Sequence, residues 1–498
     1  MTMPATLEPP KTASPGDGHG DARGTASGAR DDFAAVLARF ACALTIADLP
    51  PAALTAAKMN VFDTLACAAA GTSAPAVGET RELAIEWGGA PQATILGFGD
   101  KVPAHHAAWV NGTMSHARDY DDTHDAAVLH AGVSVIPAAL AAAELKGRRG
   151  TPVSGADFLC AIAAGLETIC RLGVATRIGI VESGWIYTPL FGYFAATVAA
   201  GRVLGLDVGQ MINALGIVYS QTAGNHQVTR DGALTKRMQP GFAAQAALVS
   251  VQLAERGVRG AQDTFEGADG FLRVYLHDRC DRDALRAGLA ERWEFANLSY
   301  KPYPCCRFDH TAIDAALQLR AAGVRADDVR RIRVGLNNQA YEAVCTPVAI
   351  RKAPRTIVHA QFSVPFTVAA AFVDGGVKLG HFTEASIRRP DLLALAARVD
   401  TYVDADIESE WGRNISPADM TVELKDGTTR HVRIDLPLGH PQRPMSTADF
   451  DVKAADCCAV AARPLTSDTP QRLRALVDGL EQLDDARKLV RALVPQEA

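Results

Sequence analysis

A dense group of ionisable side chains lies in the segment NGTMSHARDYDDTHDAAVLH, at residues 111–130. Its members, together with a histidine shortly before it, are Asp119, Asp121, Asp122, Asp125, His116, His124, His130 and His106. An apolar, alanine-rich stretch follows directly, so these groups would lie beside a core helix, where burying charge is costly. Clusters of this kind are usually kept because they bind a ligand or transfer protons.

Asp119, Thr123 and His130 occupy a turn-like stretch that precedes the helical pattern. A histidine there can exchange protons near neutral pH, and a neighbouring carboxylate can fix its tautomer. The alternative interpretation is a solvated acidic loop whose aspartates cap the helix. A metal site would need a regular ligand spacing that the segment lacks, so we predict no metal.

Lys236 and Arg237, in GALTKRMQPG, directly precede a long apolar stretch. A lysine and an arginine side by side suit recognition of a carboxylate, although such pairs are often simply exposed. In SGWIYTPLFG, Tyr187 is either a core tyrosine or, if it faces a lysine, an acid/base group.

Lys301, in SYKPYPCCRFDH, lies between an aromatic residue and a proline, which predicts a rigid turn. A partly desolvated lysine near other cations can lose its proton and act as a base. Cys306, Arg307 and His310 follow closely and could belong to the same site. The alternative is a linker whose aromatic and cysteine side chains only pack.

The bulk composition excludes several classes of function. The 498-residue chain is 48% hydrophobic, carries a formal net charge of −6 and has no basic stripe, so neither nucleic acid nor a membrane surface is an expected partner. Ten cysteines without a CxxC pair are typical of buried thiols in a reducing compartment. Because no signal peptide and no apolar run of about 18 residues appear, we predict a cytoplasmic protein without a transmembrane helix.

The hydrophobic pattern divides the chain into two kinds of region. Helical periodicity rich in alanine and glycine runs from Asp31 to about Glu294, which is typical of closely packed helices. Near Tyr300 apolar and polar residues begin to alternate, and Asp426-Gly427 between two such runs predicts a hairpin. Helical periodicity returns near the C-terminus. The predicted fold is mainly α: a large all-helical domain (residues 31–297 plus 446–498), a smaller inserted α+β lid domain (residues 298–445) and a disordered tail (residues 1–30).

Four motifs, in this order along the chain, resemble the MmgE/PrpD family. They are NGTxxHxxDxDDTH from Asn111, TKRxQPGxAA from Thr235, EGxxGF from Glu266 and KPYPCCRxxH from Lys301. The resemblance covers roughly residues 31–462. The family includes 2-methylcitrate dehydratase, cis-aconitate decarboxylase and iminodisuccinate epimerase. The resemblance therefore implies a helical domain with a smaller lid domain, an active site between them, a homodimer and no cofactor.

Carried over residue by residue, the resemblance places five residues at the site: Asp119, Thr123, His130, Lys236 and Lys301. The chain departs from the decarboxylase branch at three positions, where Tyr187 and Cys306 replace histidines and Phe366 replaces a tyrosine. The exchange of histidine for tyrosine at Tyr187 resembles the epimerase branch.

The chemistry that the resemblance implies is removal of a proton next to a carboxylate. The expected catalytic residues are Lys301 as the base, His130 as the general acid oriented by Asp119, and Tyr187 as a second acid/base group in an epimerase. The expected substrate-binding residues are Thr123, Lys236, Arg237, Cys306 and Arg307.

The sequence therefore predicts a cofactor-independent lyase for a small di- or tricarboxylic acid, either a dehydratase similar to 2-methylcitrate dehydratase or a decarboxylase. One alternative is an epimerase or isomerase of an iminodisuccinate-like acid that uses Tyr187 and Lys301. The other is a non-catalytic helical scaffold.

Overall fold

The computed structural model describes residues 31–412 and 414–495, and from Asp32 onwards the chain forms one compact unit. The tail at residues 1–30, predicted to be disordered, lies outside the described residues. Helices dominate the described chain, so the prediction of a mainly α protein is confirmed.

Side chains cap the starts of several helices in the first 300 residues. Ser154 accepts a hydrogen bond from the Asp157 N–H at the start of one helix, and Asp207 and Gln210 form a reciprocal capping box at another. The helices are α1 (Phe33–Ala43), α2 (Pro51–Gly71), α3 (Val77–Glu86), α4 (Ala104–His116), α5 (Gly132–Arg148), α6 (Gly155–Ala175), α7 (Ile180–Ser183), α8 (Tyr187–Leu204), α9 (Val208–Tyr219), α10 (Gln227–Arg230), α11 (Thr235–Glu255), α12 (Phe271–Leu276) and α13 (Arg282–Arg286).

A small antiparallel sheet interrupts this helical region. Strands β1 (Ala93–Thr94) and β2 (Lys101–Val102) pair between α3 and α4, so the prediction of an all-helical region is wrong at this point. The connecting turn contains Gly97 and Gly99, both with positive φ, a backbone conformation that glycine adopts without a Cβ clash.

The remainder of the chain mixes helices with a four-stranded sheet of order β4-β3-β5-β6, in which only the β3–β4 pair is parallel. The hairpin predicted at Asp426-Gly427 is confirmed, and Gly427 has a φ of +88°. The elements are α14 (His310–Ala321), β3 (Val329–Leu336), α15 (Asn338–Ala340), α16 (Val348–Lys352), α17 (Ile357–Gln361), α18 (Val364–Asp374), α19 (Pro390–Ala396), β4 (Val399–Val403), α20 (Ala405–Trp411), β5 (Ala418–Leu424), β6 (Thr429–Ile434), α21 (Thr447–Ala459), α22 (Thr469–Asp478) and α23 (Lys488–Ala492).

Buried apolar side chains fall into two clusters. The larger runs from Phe33 to Leu298 and adds Leu379 and a C-terminal group that begins at Met445, whereas the smaller is made of residues 303–432. The clusters follow the predicted boundaries, but both lie within one compact unit. The division into a helical domain and a lid domain therefore stays a prediction.

Helix α6 has the length and the apolar composition of a membrane span, but 94% of its most apolar window is buried inside the fold. Within it Glu167 and Arg171 form an ion pair with neither side chain exposed. Arg171 also donates to the carbonyls of Ala287 and Gly288, at 2.9 and 3.0 Å. These contacts explain α6 as a core helix.

All ten cysteines are free thiols. Seven are buried and three, Cys42, Cys280 and Cys458, are partly buried. The prediction of thiols packed in the interior therefore holds for most of them.

The close approach of α4 and α11 positions the two chain segments that matter most for the site. A Cβ added to Gly112 would lie 2.8 Å from the Gly241 Cα, and one added to Gly241 would lie 2.4 Å from the Trp109 carbonyl oxygen. Only glycine allows this backbone contact, which brings the first turn of α11 next to the end of α4.

We expect Gly241→Ala to lower the free energy of unfolding by about 1–3 kcal/mol, because the added methyl group meets backbone atoms that cannot move aside. Urea unfolding followed by circular dichroism would measure the change. Gly78→Ala, in α3 with no atom within 4 Å of the added Cβ, is the matched control. Equal effects of the two substitutions would contradict the role assigned to the helix contact.

Candidate active site

The loop at residues 117–131, between α4 and α5, carries most of the predicted site residues. It is fixed to a distant segment by an antiparallel bridge between Thr123 and Ser299. The Thr123 N–H donates to the Ser299 carbonyl at 2.8 Å, and the Ser299 N–H donates to the Thr123 carbonyl at 2.7 Å. Because Lys301 follows Ser299 by two residues, the bridge brings that lysine to the loop.

Asp119 lies between two lysines. Its Oδ2 accepts a hydrogen bond from Lys236 Nζ at 2.8 Å, and its Oδ1 accepts one from Lys301 Nζ at 2.5 Å. Lys301 also donates to the Asp119 carbonyl oxygen at 3.0 Å. The φ of Asp119 is +53°, a left-handed conformation that a residue other than glycine keeps only where its surroundings hold it.

These contacts decide the charges of Asp119 and Lys301. Burial opposes the Asp119 carboxylate, but Lys236 and Lys301 outweigh burial and hold the pKa of Asp119 well below its usual range. Burial also lowers the pKa of Lys301, yet Asp119 and then Asp121 outweigh it and keep that pKa above its ordinary value. Lys301 is therefore an ammonium group here. The expected loss of its proton is wrong for this arrangement, because the sequence did not reveal that Asp119 contacts it directly.

Asp121 binds two imidazoles. Its Oδ2 lies 2.9 Å from His116 Nδ1 and 3.0 Å from His130 Nδ1. His130 Nδ1 also lies 2.6 Å from the Asp122 carbonyl oxygen and 3.5 Å from the Thr123 hydroxyl. Since the carboxylate and the carbonyl only accept, Nδ1 of His130 carries the proton and Nε2 is left to accept one. The carboxylate that orients His130 is therefore that of Asp121, and the expected contact with Asp119 is wrong.

His116 joins the two groups. Burial lowers the pKa of His116 to about 4, with Asp121 opposing, so the imidazole is neutral at neutral pH. Its Nε2 then accepts from Lys236 Nζ, which lies 3.3 Å away, while its Nδ1–H donates to Asp121. Burial opposes the charge on Asp121, but the two histidines outweigh it and hold the pKa of Asp121 well below its usual range.

These six residues form one continuous chain of hydrogen bonds, which we call the six-residue network. Its members in order are Lys301, Asp119, Lys236, His116, Asp121 and His130. The predicted residues Asp119, Lys236, Lys301 and His130 are brought together in it, and Thr123 lies beside it. His116 and Asp121 were noticed in the ionisable segment but were not assigned to the site.

The group formed by His116, Asp121 and His130 is also a geometric candidate for a metal site, with ligand atoms within 4.8 Å of one another. Both histidines, however, direct Nδ1 at the same carboxylate oxygen at hydrogen-bond distance, and Nδ1 of His130 also faces a carbonyl. In the tautomers that these contacts favour, both Nδ1 atoms carry protons and only the Asp121 oxygens would face a cation, so the contacts fit a hydrogen-bonded triad better than a metal centre.

Lys236 and Arg237 lie in the first turn of α11, and the expectation that they precede the helix is wrong by one turn. Arg237 is 3% exposed, and its Nη2 donates to Gln361 Oε1 at 3.0 Å. Its Nη1 is buried and has no hydrogen-bond partner among the described residues. Burial, and then Arg118, lower the pKa of Arg237 to about 10, so it remains a cation with an N–H group available to an anion.

Gln361, at the end of α17, also contacts the site, although no sequence motif indicates it. Its side chain is nearly fully buried, and its Nε2 donates to the Arg118 carbonyl at 2.8 Å and to the Pro304 carbonyl at 3.2 Å. Gln361 thereby fixes Arg237 relative to the loop and to the segment after Lys301. A lone glutamine without a neighbouring motif gives no signal in a single sequence.

Arg307 and Cys306, both predicted to bind substrate, lie close to Lys301 but have other contacts. Arg307 pairs with Asp125 at 3.3 Å and donates to the Leu438 carbonyl at 2.9 Å, so its guanidinium is used within the protein. Burial raises the pKa of Cys306 to about 12, and its N–H donates to the Gln361 carbonyl at 2.8 Å. Substrate binding by either residue stays a prediction.

Tyr187 lies at the first position of α8, where its hydroxyl donates to the Ile178 carbonyl and its ring stacks on Phe191. The next residue, Thr188, accepts a hydrogen bond from the His130 N–H at 3.0 Å. The backbone at Tyr187 is therefore close to the network, while its hydroxyl binds a backbone carbonyl. An acid/base role for Tyr187 stays a prediction.

Other members of the ionisable segment support the backbone or pack in the core. Asp122 accepts from the N–H groups of Ala131 and Gly132 at the start of α5, as the capping alternative predicts. His124 is buried with a lowered pKa, caused mainly by burial. His106 packs against Trp87, with ring centroids 5.1 Å apart.

The network is largely closed to solvent. The side chains of Lys301 and His116 are 0% and 1% exposed, whereas those of Lys236 and His130 are 10% and 16% exposed. Two surface cavities, of about 500 and 300 Å³, lie elsewhere: one beside Lys101 and the other beside Phe242. The accessible side of the site is therefore the side of Lys236 and His130.

A buried set of alternating cations and carboxylates with a correctly protonated imidazole is typical of an enzyme that handles anionic substrates. Residues 35–282 match the MmgE/PrpD N-terminal domain, and residues 303–482 match the MmgE/PrpD C-terminal domain. The chain belongs to the MmgE/PrpD family, and the resemblance inferred from the motifs is confirmed.

Similar proteins include two cis-aconitate decarboxylases. The chain is 26% identical to that of Aspergillus terreus over 482 residues, covering 94% of this chain and 97% of that protein. It is also 26% identical to that of Homo sapiens over 460 residues, covering 90% and 92%. These relatives support a lyase-type enzyme.

The neutral, buried His116 makes stability depend on pH. A histidine whose pKa is lowered by folding contributes stability that is fully present above about pH 6.5 and is lost as the pH falls through about 4. We expect the free energy of unfolding of the wild type to fall over this range by up to about 3 kcal/mol more than that of His116→Gln. Urea unfolding at several pH values would measure it, and parallel curves would contradict the assignment.

Proposed function

We propose that the chain is a lyase that removes carbon dioxide or water from a small di- or tricarboxylic acid, without a metal or organic cofactor. The observation that carries this proposal is the six-residue network, in which the buried Lys301 ammonium, the partly exposed Lys236 and two imidazoles share a single cluster. Family membership and the similarity to cis-aconitate decarboxylases support the same class of reaction.

Substrate carboxylates would bind Arg237 and Lys236. Arg237 offers a buried N–H group that has no partner in the described chain, and a carboxylate bound there would replace a lost hydrogen bond with a charge-assisted one. Lys236 is more exposed than Lys301 and retains one N–H donor beyond its contacts with Asp119 and His116. Both lie on the first turn of α11, so one rigid element would orient the acid.

Both reactions develop negative charge on the carbon next to a carboxylate, either when carbon dioxide leaves it or when a proton is removed from it. In a decarboxylation the C–C bond breaks, its electron pair moves into the remaining acid, and the carbon then takes up a proton. In a dehydration a proton leaves that carbon, and hydroxide departs from its neighbour and is protonated to water. The ammonium groups of Lys301 and Lys236 would stabilise the enolate-like state in both cases.

Proton movement would use Lys301 and His130. With its Nδ1 proton held by Asp121 and the Asp122 carbonyl, His130 would accept a substrate proton at Nε2 in a dehydration. In a decarboxylation the Lys301 ammonium would protonate the carbanion, and the network would supply a replacement proton from its more exposed end at His130. Lys301 thus acts first as an acid, because its resting state is charged.

A panel of acids tests the proposal directly. We expect turnover of at least one acid among cis-aconitate, 2-methylcitrate and related di- and tricarboxylates, assayed for carbon dioxide and for an unsaturated product in heavy water. Carbon dioxide release identifies a decarboxylase, and an unsaturated product without it identifies a dehydratase. Deuterium uptake without net product would favour the epimerase alternative. No turnover and no thermal stabilisation by any acid would favour the scaffold and remove the proposal.

Two substitutions separate proton transfer from substrate binding. We expect His130→Ala to lower kcat at least about 100-fold, because it removes the group that exchanges protons. Arg237→Met should mainly raise KM, by about 10-fold, because it removes a carboxylate contact present in both the ground and transition states. Steady-state kinetics would measure both, with the exposed Arg230→Met as a control. Near-normal kcat in a folded His130→Ala protein would remove His130 from the mechanism.

The remaining expectations from the sequence stay predictions. They are the homodimer, the cytoplasmic location and the absence of a metal or organic cofactor.

A further inference from the structure

A second lysine–aspartate pair contacts the loop at residues 117–131. Lys453, in α21, donates to Asp63 Oδ1 at 2.5 Å and to the Tyr120 carbonyl oxygen at 2.6 Å. Its ammonium also lies 4.4 Å from the centroid of the Tyr120 ring. The side chains of Lys453 and Asp63 are 2% and 0% exposed, so the pair is part of the interior.

Tyr120 is the residue that separates the two carboxylates of the six-residue network. On one side Asp119 contacts Lys236 and Lys301, and on the other Asp121 contacts the histidines. The Tyr120 hydroxyl donates to the Pro302 carbonyl at 3.2 Å, one residue after Lys301. The peptide between the two carboxylates is therefore held at its carbonyl by Lys453 and through its side chain by the Lys301 segment.

Stability alone does not explain this pair. Two charges taken out of water are costly, and an apolar replacement of similar volume is often equally stable. Asp63 shows this cost. Burial raises the pKa of Asp63 to about 6, although Lys453 opposes the change. The pair instead fixes the orientation of a peptide group, because a short hydrogen bond to its carbonyl restricts its rotation.

We propose that Lys453, held by Asp63, is a positioning residue that fixes the Tyr120 peptide, so that Asp119 and Asp121 face their separate partners. The proposal rests on the proposed function, because the groups it positions are those assigned to proton transfer. Lys453 does not touch the network side chains through any contact described above, and it acts through the backbone of Tyr120. Without it, the Tyr120 carbonyl, which follows the left-handed Asp119, would lose a hydrogen bond that holds its orientation.

The chain offers a matched control. Lys58, in α2 like Asp63, donates to the Asp478 carbonyl at 2.7 Å and pairs with Glu481 at 2.5 Å. It therefore also joins α2 to the C-terminal part of the chain through one carboxylate and one backbone carbonyl. Neither of these partners belongs to the loop at residues 117–131. Lys58→Met reports the general cost of losing such a link.

The test compares Lys58→Met with Lys453→Met/Asp63→Asn, which removes both charges and leaves no unpaired ion, and with Lys453→Arg, which keeps a cationic donor. We expect the double variant to lower kcat about 10- to 100-fold with KM changed less than about threefold, since Arg237 and Lys236 are untouched. Lys453→Arg should recover most of the loss, and Lys58→Met should keep kcat within about twofold. Circular dichroism and urea unfolding would show that all variants are folded.

Retention of wild-type kcat in the folded double variant would overturn the proposal, as would equal losses in Lys58→Met. If the double variant does not fold, Lys453→Arg is compared with the wild type instead. A kcat close to that of the wild type supports the proposal. A lower kcat that is fully explained by a smaller folded fraction, as measured by urea unfolding, overturns it.

A readout that does not need turnover separates this proposal from the proposed function. The Nδ1–H protons of His116 and His130, hydrogen-bonded to Asp121, should give downfield proton NMR signals, assigned by their loss in His116→Gln and His130→Ala. We expect these signals to shift or broaden in the double variant and to stay in Lys58→Met. Unchanged signals would overturn the positioning role, whereas shifted signals in a protein inactive on every acid would leave it standing and remove the proposed function.

Discussion

Asp119, between two lysines, is the interaction on which the rest of the site depends. Lys236 and Lys301 come from positions 117 and 182 residues further along the chain, and both ammonium groups contact the same carboxylate. Without that carboxylate, two cations this close would repel each other, and burial would favour the neutral amine at Lys301. The pairing therefore sets the charges of Asp119 and Lys301, and it exists only when the loop, α11 and the segment after Ser299 come together.

Local features of the backbone bring these three segments together. Gly112 and Gly241 allow α4 and α11 to touch, which delivers Lys236 to the end of α4. The bridge between Thr123 and Ser299 delivers Lys301. The Asp122 carboxylate caps the start of α5, so neighbouring carboxylates in one short loop have different roles. The acidic segment is thus neither wholly catalytic nor wholly structural.

Sequence periodicity predicted the long helices and the hairpin at Asp426-Gly427, because these depend on local patterns. The segments that converge on the site were implied by the family resemblance and not by periodicity. The protonation state of Lys301 was not predictable, since it depends on a contact with Asp119 that no spacing rule reveals. Arg307 illustrates the same limit: an arginine next to a motif looks available, but here it pairs with Asp125. The buried Gln361 gave no signal because its role comes from three partners distant in sequence.

The family resemblance implies that the chain departs from the decarboxylase branch at Tyr187, Cys306 and Phe366, and the contacts of these three residues bear on proton exchange. Burial raises the pKa of Cys306 to about 12, so its thiol is neutral. The Tyr187 hydroxyl donates to a backbone carbonyl, and Phe366 is fully buried without any ionisable group. Proton exchange then rests on His130 and the two lysines. A substrate that needs a second imidazole would be served poorly by this site, whereas one that needs a single proton acceptor and two fixed cations fits it.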